Sequence, residues 1–165
     1  MSSLAQQAGT LFKQPLRPLA AAPDVRGTAG VRLPTDRDHA AMRDAYRASG
    51  GTVRRDALAR VLHDCEGAHD ATLGKLLVTH GIFSFEWRAV HWVPMFQFDM
   101  RDMSVRPRPQ RVAAELAEVF DGWALAMWFS QPNHWLRNRR PVEVLNSSLA
   151  SVLHAARADR LIASG

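Results

Sequence analysis

Two stretches decide the fold of this chain: residues 90–99, VHWVPMFQFD, and residues 122–145, GWALAMWFSQPNHWLRNRRPVEVL. All five tryptophans lie between residues 87 and 135, so this region must form much of the core or an unusual aromatic surface. Its longest apolar run, Trp123 to Phe129, is far shorter than the ~18 residues that a membrane span needs. We therefore expect a globular protein that does not associate with membranes.

The composition bounds the size and the setting of the protein. Its 165 residues suit one domain or two very small ones, and 47% of them are hydrophobic, enough for a packed core. A single cysteine, Cys65, excludes an internal disulfide framework and suits the reducing cytoplasm, where we expect the protein to act. The net charge is +5, and only Lys13 and Lys75 among the 21 basic residues are lysines. An excess of arginine over lysine can indicate phosphate binding, because the guanidinium group donates paired hydrogen bonds. A GC-rich genome, whose codons favour arginine, explains the excess equally well.

The first aromatic stretch is the second half of a predicted β-hairpin. Aromatic residues at positions 83, 85 and 87 alternate with polar ones, which is the period of two typical of a strand. Arg88-Ala89 is the candidate turn, and Val90 to Phe98 is the return strand. Pro94 interrupts that strand, and because proline has no N–H to donate, we expect an edge position or a bend there.

Helices are predicted upstream of the hairpin. Thr35 can cap a helix that runs to about Ala48, with Asp38 completing a capping box. Thr52 is the next plausible cap, and the apolar residues that follow it recur at helical spacing. A third helix is predicted from about residue 70 to residue 79, with Gly81 taking the left-handed conformation at its end.

Two short helices followed by an aromatic hairpin is the element order of a winged helix-turn-helix. The second helix of such a unit enters the major groove of DNA, while the hairpin rests against the backbone. On this interpretation Thr72, Lys75 and Thr79, on the polar side of the third predicted helix, face DNA. The polar connection before that helix is longer than the usual turn, and the helix offers Lys75 alone as a cation.

The helical period returns after the hairpin. A helix is predicted from Pro107, and the apolar run from Trp123 to Ser130 forms another. Pro141 is well placed as the first residue of a short helix, and Ser147 or Ser148 caps the last one.

The predicted fold class is mainly α, in three parts. Residues 1–33, rich in Ala, Pro, Gly and Ser, form a disordered tail. Residues 34–100 form a winged helix-turn-helix-like unit with a short aromatic β-hairpin. Residues 101–165 form a small helical bundle.

Motifs for catalysis and cofactor binding are missing from the sequence. It contains no P-loop, no dinucleotide-binding glycine motif and no nucleophile elbow. His63, Cys65 and His69, with His80 further on, are suitable zinc ligands, but their spacing matches no common site. We therefore predict that the protein binds no metal or cofactor and has no enzymatic activity. An enzyme centred on His63, Cys65 and His69 is kept as a third hypothesis for the function.

Two arginine clusters are candidates for binding phosphate. The first lies in the connector after the hairpin, and the second lies in the loop before Pro141. Each cluster is equally well explained as a solvated loop whose arginine stems cover apolar neighbours. The clusters consist of Arg101, Arg106, Arg108 and Arg111, and of Arg137, Arg139 and Arg140.

Four blocks of the carboxyl half resemble a known family. They are the segments 94–99 (PMFQFD), 123–129 (WALAMWF), 132–136 (PNHWL) and 140–145 (RPVEVL). In their order and spacing they are similar to the toxin-binding domain of the Xre/MbcA/ParS-like antitoxins, over roughly residues 75–160. In that family a P-x-FQF block is followed, after a helix, by W-x-L-A-x-W, PN-x-x-L and RP-x-x-x-L, in which the residue after RP is hydrophobic.

The resemblance implies a helical domain that often self-associates and docks on a toxin, commonly an NAD-degrading or ADP-ribosylating enzyme of the RES type. Family members usually carry a DNA-binding helix-turn-helix ahead of this domain and repress their own operon. Their C-terminal helix approaches the toxin's active site, and the corresponding stretch here is Ala155 to Gly165, with Arg157 and Arg160. The amino half departs from the family, because it contains no recognisable Xre helix-turn-helix and adds residues 1–33 as a tail.

Two functions follow as hypotheses. The first is an antitoxin-like regulator that binds and neutralises a partner toxin, RES-type by resemblance, with operator DNA as a second ligand and with self-association into oligomers. The second is a stand-alone DNA-binding transcriptional regulator or nucleoid protein without a toxin partner. We expect DNA contacts from Thr72, Lys75, Thr79, Arg101, Arg106 and Arg108, and partner contacts from Trp128, Asn133, Trp135, Arg139, Arg140, Arg157 and Arg160.

Overall fold

The computed structural model describes residues 34–64 and 73–165, so the predicted tail of residues 1–33 lies outside the described residues. Within those ranges three strands, β1 (Thr52–Arg54), β2 (Phe85–Trp87) and β3 (Val90–Pro94), form an antiparallel sheet. The α-helices of the same ranges are α1 (Asp36–Tyr46), α2 (Arg55–Asp64), α3 (Leu73–Val78), α4 (Pro107–Leu116), α5 (Gly122–Ser130), α6 (Pro141–Val144) and α7 (Leu149–Ser164). The fold is mainly α with a small β-hairpin sheet, as the sequence predicts. No helix in the described part of the chain is long and apolar enough to cross a membrane.

Local signals in the sequence start most of the helices. The Thr35 hydroxyl accepts a hydrogen bond from the Asp38 amide at 3.2 Å, and the Asp38 carboxylate accepts one from the Thr35 amide at 3.0 Å, so the predicted capping box is present. Asp121 caps α5 by accepting from the Ala124 amide at 2.8 Å. Pro107 and Pro141 are the first residues of α4 and α6, as predicted.

The β-hairpin turns at the predicted place. Phe85 pairs with Trp92, and Trp87 pairs with Val90, which leaves Arg88 and Ala89 as the two-residue turn. Both turn residues have positive φ, 50° and 58°, the backbone shape that matches the right-handed twist of the flanking strands. We call β2, this turn and β3 the wing.

The predicted start of the second helix was wrong. Thr52 belongs to β1, which pairs with β3 so that Thr52 lies opposite Pro94 and Arg54 lies opposite Trp92. The helix begins three residues later, at Arg55. Threonine is common both at helix caps and in strands, so its identity does not distinguish the two. Here the residue is in a strand because it pairs with a segment about forty residues further along the chain.

The return strand is also shorter and more central than predicted. β3 lies between β1 and β2 rather than at an edge, and it ends at Pro94. The Met95 amide then donates to Gly51 O at 2.9 Å, and residues Met95–Gln97 form a 3₁₀ turn instead of further strand. Pro94 is therefore placed where the strand stops, at a position that tolerates the missing N–H.

At the end of α3 the left-handed residue is His80, with a φ of 52°, rather than Gly81 as predicted. The Gly81 amide donates to Leu76 O at 2.8 Å and the Ile82 amide to the same oxygen at 3.3 Å, which satisfies the helix's last carbonyls. The part of the predicted third helix before Leu73 lies outside the described residues.

Two apolar cores lie on the two faces of the sheet, because successive strand residues point to opposite sides. The smaller core takes Val93 from β3 and packs it with Leu58 of α2 and Leu73 of α3. The larger core joins α1, the wing, and helices α4 to α7. It therefore combines residues from both of the predicted units, 34–100 and 101–165. Its largest fully buried side chains are Met42, Tyr46, Phe85, Leu116, Phe129 and Leu145.

Helix α5 is fixed closely to α1 and to the wing. The Tyr46 hydroxyl donates to Ala126 O at 2.6 Å inside the larger core, where burial raises the pKa of Tyr46 well above its usual value and keeps the phenol protonated. A Cβ added to Gly122 would stand 1.9 Å from Ser84 O, so only glycine permits this approach. The His39, Trp87 and Trp123 rings stack in one column, with centroids 4.8 and 5.6 Å apart.

Candidate functional site

The Asp159 carboxylate on α7 is the centre of a hydrogen-bonded network. Its Oδ2 accepts from Trp128 Nε1 at 2.7 Å and from Asn133 Nδ2 at 2.7 Å, and its Oδ1 accepts from Trp135 Nε1 at 3.1 Å. Three of the residues predicted to bind a partner thus converge on one carboxylate. Hydrogen bonds to an ionised group are stronger than neutral ones, so the network holds the two indoles in fixed positions.

The loop that presents Trp135 has an unusual backbone. Asn133 and Arg139 form an isolated β-bridge, and the Asn133 side chain accepts from the Trp135 amide at 2.9 Å. Between them Arg137 and Asn138 both have positive φ, 57° and 60°. A left-handed conformation is costly for arginine, and it persists here because the hydrogen bonds of the loop fix it.

Among the described residues, Trp135 is the tryptophan that is exposed to solvent. It is 43% exposed although its indole N–H is bonded, and its ring lies 4.3 Å from the His134 ring and 5.9 Å from the His154 ring between centroids. On α7 the positions 154, 158 and 161 share one side of the helix. Leu161 and Ile162, at the end of that helix, are 70% and 56% exposed.

Two arginines flank Trp135 without internal partners. Arg137 and Arg139 are exposed, and within residues 34–64 and 73–165 neither side chain makes a hydrogen bond or an ion pair. We call the patch formed by Trp135, Arg137, Arg139, Leu161 and Ile162 the Trp135 surface. It combines a rigid aromatic centre, exposed aliphatic side chains and unpaired positive charge.

The other predicted partner-binding residues have structural roles. Arg140 donates to Glu143 at 3.1 Å across the first turn of α6. Arg157 and Arg160 hold Glu115 at 2.8 and 3.4 Å, which ties α7 to α4. Their guanidinium groups are engaged in ion pairs with Glu143 and Glu115, so they are not counted in the Trp135 surface.

Four of the six predicted DNA-binding residues make side-chain hydrogen bonds within the protein: Thr79, Arg101, Arg106 and Arg108. Thr72 lies outside the described residues, and Thr79 is exposed with its hydroxyl donating to Lys75 O at 2.9 Å. Arg101 donates to Asp99 at 2.7 Å, and this hydrogen bond holds the pKa of Asp99 far below its usual range. Within the described part of the chain, Lys75 is the cation that α3 presents.

The connector arginines hold two loops together. Arg106 donates to Asn146 Oδ1 at 2.6 Å and to Phe96 O at 3.2 Å. Arg108 donates to Asn146 O. Both therefore tie the start of α4 to the loop between α6 and α7, a role that the sequence does not reveal.

The histidine and cysteine candidates give no site in the described residues. Cys65 and His69 lie outside those residues, while His63 and His80 are exposed. Among residues 34–64 and 73–165 no three His, Cys, Asp or Glu side chains group as metal ligands.

Sequence reasoning missed Asp159 and Gln97. Asp159 is the one acid of α7, a signal that could have marked it as a partner for buried donors. Gln97 is 2% exposed and its amide bonds to the Phe83 backbone, so the FQF block is built into the core. Comparison of the chain with protein-family models, curated proteins and solved structures found no match.

Proposed function

We propose that this protein is an antitoxin-like regulator that binds and neutralises a partner toxin of the RES type through its carboxyl half. The observation that carries the proposal is the Trp135 surface. Trp135 is held by Asp159 and still 43% exposed, and protein interfaces are anchored by such tryptophans, flanked by arginine. Because the side chain is already fixed, little rotamer entropy is lost when a partner covers it.

The motif blocks support the same proposal by their position. Trp128 belongs to the W-x-L-A-x-W-like block and Asn133 to the PN-like block, and both donate to Asp159 beside Trp135. The residues that carry the resemblance therefore build the frame of the Trp135 surface. Leu161 and Ile162 lie in the stretch that corresponds to the toxin-approaching tail of the family.

The test is co-expression with a RES-type enzyme encoded beside this gene, followed by size-exclusion chromatography and an assay of NAD loss. The proposal expects co-elution and protection of NAD, and Trp135→Ala should weaken both. Val78→Ala is the matched control, since Val78 is an apolar side chain, 81% exposed, on α3. Full neutralisation by Trp135→Ala contradicts the role of this surface, and the absence of any complex contradicts the proposed function.

A DNA-binding regulator is the second candidate, and the winged topology favours it. The order α1, β1, α2, α3, β2, β3, with β3 in the middle of the sheet, presents two helices and a wing as a winged helix-turn-helix-like unit does. A gel-shift titration tests it, because binding through phosphates must weaken steeply as salt rises. A flat response to salt removes this candidate, and Lys75→Glu reports whether α3 takes part.

A further inference from the structure

A groove lies between the wing turn and the first turn of α2. Its volume is about 390 Å³, and its polar lining is Arg54, Arg55, Asp56 and His91. Ala89 and Val90 of the wing form its apolar wall, together with Ala59 of α2. We call it the α2–wing groove.

The groove holds more positive than negative charge. Its carboxylate, Asp56, already accepts two hydrogen bonds from Arg54, at 3.0 and 3.4 Å, and lies 3.8 Å from Arg60. Arg55 is exposed, and within the described residues its side chain makes no ion pair or hydrogen bond. His91 Nε2 lies 3.9 Å from the Glu86 carboxylate. The lining of the groove thus carries two arginines and one carboxylate, which Arg54 already engages, and Arg55 remains free for an external anion.

The walls of the groove are fixed before any ligand arrives. Arg54 pairs with Trp92 across β1 and β3, which places the start of α2 beside the wing. The wing turn is anchored by Arg88, whose guanidinium donates to both carboxylate oxygens of Asp36 at 2.7 Å. A site built on paired strands and a tethered turn needs little reorganisation to bind.

A second groove nearby provides a comparison. It is lined by Arg43, Arg47 and Asp44, with Gly50 and Gly51 at its base. Arg47 pairs with Asp44 at 2.9 Å, and Arg43 lies over the Trp92 ring at 5.8 Å. Its arginines are therefore both engaged, so among the four arginines of these two grooves Arg55 is the one open to an anion.

We propose that the α2–wing groove binds a phosphate of a duplex DNA backbone, with Arg55 as the principal contact and Arg54 beside it. The planar guanidinium presents paired donors that match phosphate oxygens. This inference deepens the DNA-binding candidate and is independent of toxin binding. It places the main phosphate contact at the wing and the start of α2, whereas the sequence places it on α3 and the Arg101 to Arg108 connector.

The test is fluorescence anisotropy with a labelled duplex of random sequence, titrated with the full chain over a series of salt concentrations. The plot of log affinity against log salt for Arg55→Gln should be shallower by about one than that of the unaltered protein, because one phosphate contact is lost. Arg47→Gln removes the same charge from the second groove, where Arg47 is paired with Asp44, and should leave the slope unchanged. Circular dichroism checks that both variants fold.

Three results overturn the inference. If Lys75→Gln lowers the slope and Arg55→Gln does not, the contact lies on α3 and the DNA-binding candidate survives without the groove. If the unaltered chain shows no salt-dependent binding of DNA, the groove inference and the DNA-binding candidate are both wrong. The proposal of a toxin partner does not depend on this result. If inorganic phosphate shifts the NMR resonance of the Arg55 side chain and duplex DNA does not, the groove binds free phosphate and the assignment to DNA is wrong.

Discussion

The side chain of Gln97 pairs with the backbone of Phe83 as a neighbouring strand would. Its Oε1 accepts from the Phe83 amide at 2.8 Å, and its Nε2 donates to Phe83 O at 2.9 Å. The same Nε2 also donates to Pro94 O at 3.0 Å. A buried glutamine thereby satisfies backbone groups of a segment that joins no strand of the sheet.

Replacement of this glutamine should be strongly destabilising. Gln97→Leu leaves the Phe83 N–H and C=O buried without partners, which costs on the order of 3 kcal/mol of the free energy of unfolding. Urea denaturation followed by circular dichroism measures the loss. Gln110→Leu, at an exposed position of α4, is the control and should change stability little. Equal midpoints for the two variants would refute the pairing.

Gly122 should not tolerate a methyl group. Its added Cβ would stand 1.9 Å from Ser84 O, so Gly122→Ala must push α5 away from the segment that leads into β2. Overpacking of this kind costs on the order of 3 kcal/mol. Gly74→Ala makes the same chemical change on α3, where nothing lies within 4 Å, and should gain up to about 1 kcal/mol from helix propensity. Thermal melts that show no difference between the two alanines would contradict the close approach.

Acidification should destabilise the protein through His39. Burial lowers the pKa of His39 below its usual 6.5, Arg43 and Arg88 lower it further, and Asp36 opposes them. Between the folded-state pKa and 6.5 the unfolded chain binds more protons, so the free energy of unfolding falls as the pH drops through that window. The contribution is fully present above pH 6.5.

Denaturant titrations at a series of pH values measure this effect. His39→Phe keeps a ring against Trp87 and should flatten the dependence of stability on pH in that window. His63→Gln, at an exposed position in the last turn of α2, is the control and should preserve the slope. If the free energy of unfolding of His39→Phe depends on pH as steeply as that of the unaltered protein, other groups cause the pH dependence.

Asp159→Asn should loosen Trp135 without unfolding the protein. The amide has one acceptor oxygen for three donors, so at least one indole N–H loses its bond, at about 2 kcal/mol for a bond to a charged group. Hydrogen exchange of the indole N–H group should accelerate for Trp128, Trp135 or both, and should stay unchanged for the other tryptophans. Glu118 is an exposed acid just after α4, so Glu118→Gln makes the same change of charge. It should leave the exchange rate of every indole N–H unchanged.

Signals contained within a few residues were readable from the sequence. The Thr35 capping box, the prolines that begin α4 and α6, and the Arg88-Ala89 turn all rest on neighbouring residues, and the structure confirms them. The strand prediction was correct for residues 85–87 and 90–94 and wrong for residues 95–97. An aromatic run buried on most sides fits a strand and a 3₁₀ turn equally well.

Features made by distant residues were not readable in this way. β1 exists because it pairs with β3, and the sequence of Thr52 to Arg54 gives no sign of that partner. Asp159 and Glu115 look like solvated helix charges until folding brings Trp135 and Arg157 to them. For the candidate site, Trp135 and Arg139 stand among the partner contacts expected from the sequence, while the hydrogen bonds that hold Trp135 depend on contacts across the fold.

The shared core has a practical consequence for mapping these two surfaces. Cutting the chain near residue 100 would separate Met42, Tyr46 and Phe85 from Leu116, Phe129 and Leu145, which they cover. Each fragment would then expose an apolar surface that is buried in the intact chain. Aggregation would be mistaken for a loss of binding, and nonspecific association would be mistaken for a gain. Single substitutions on the intact chain are therefore the sound way to test the proposed DNA-binding and toxin-binding surfaces separately.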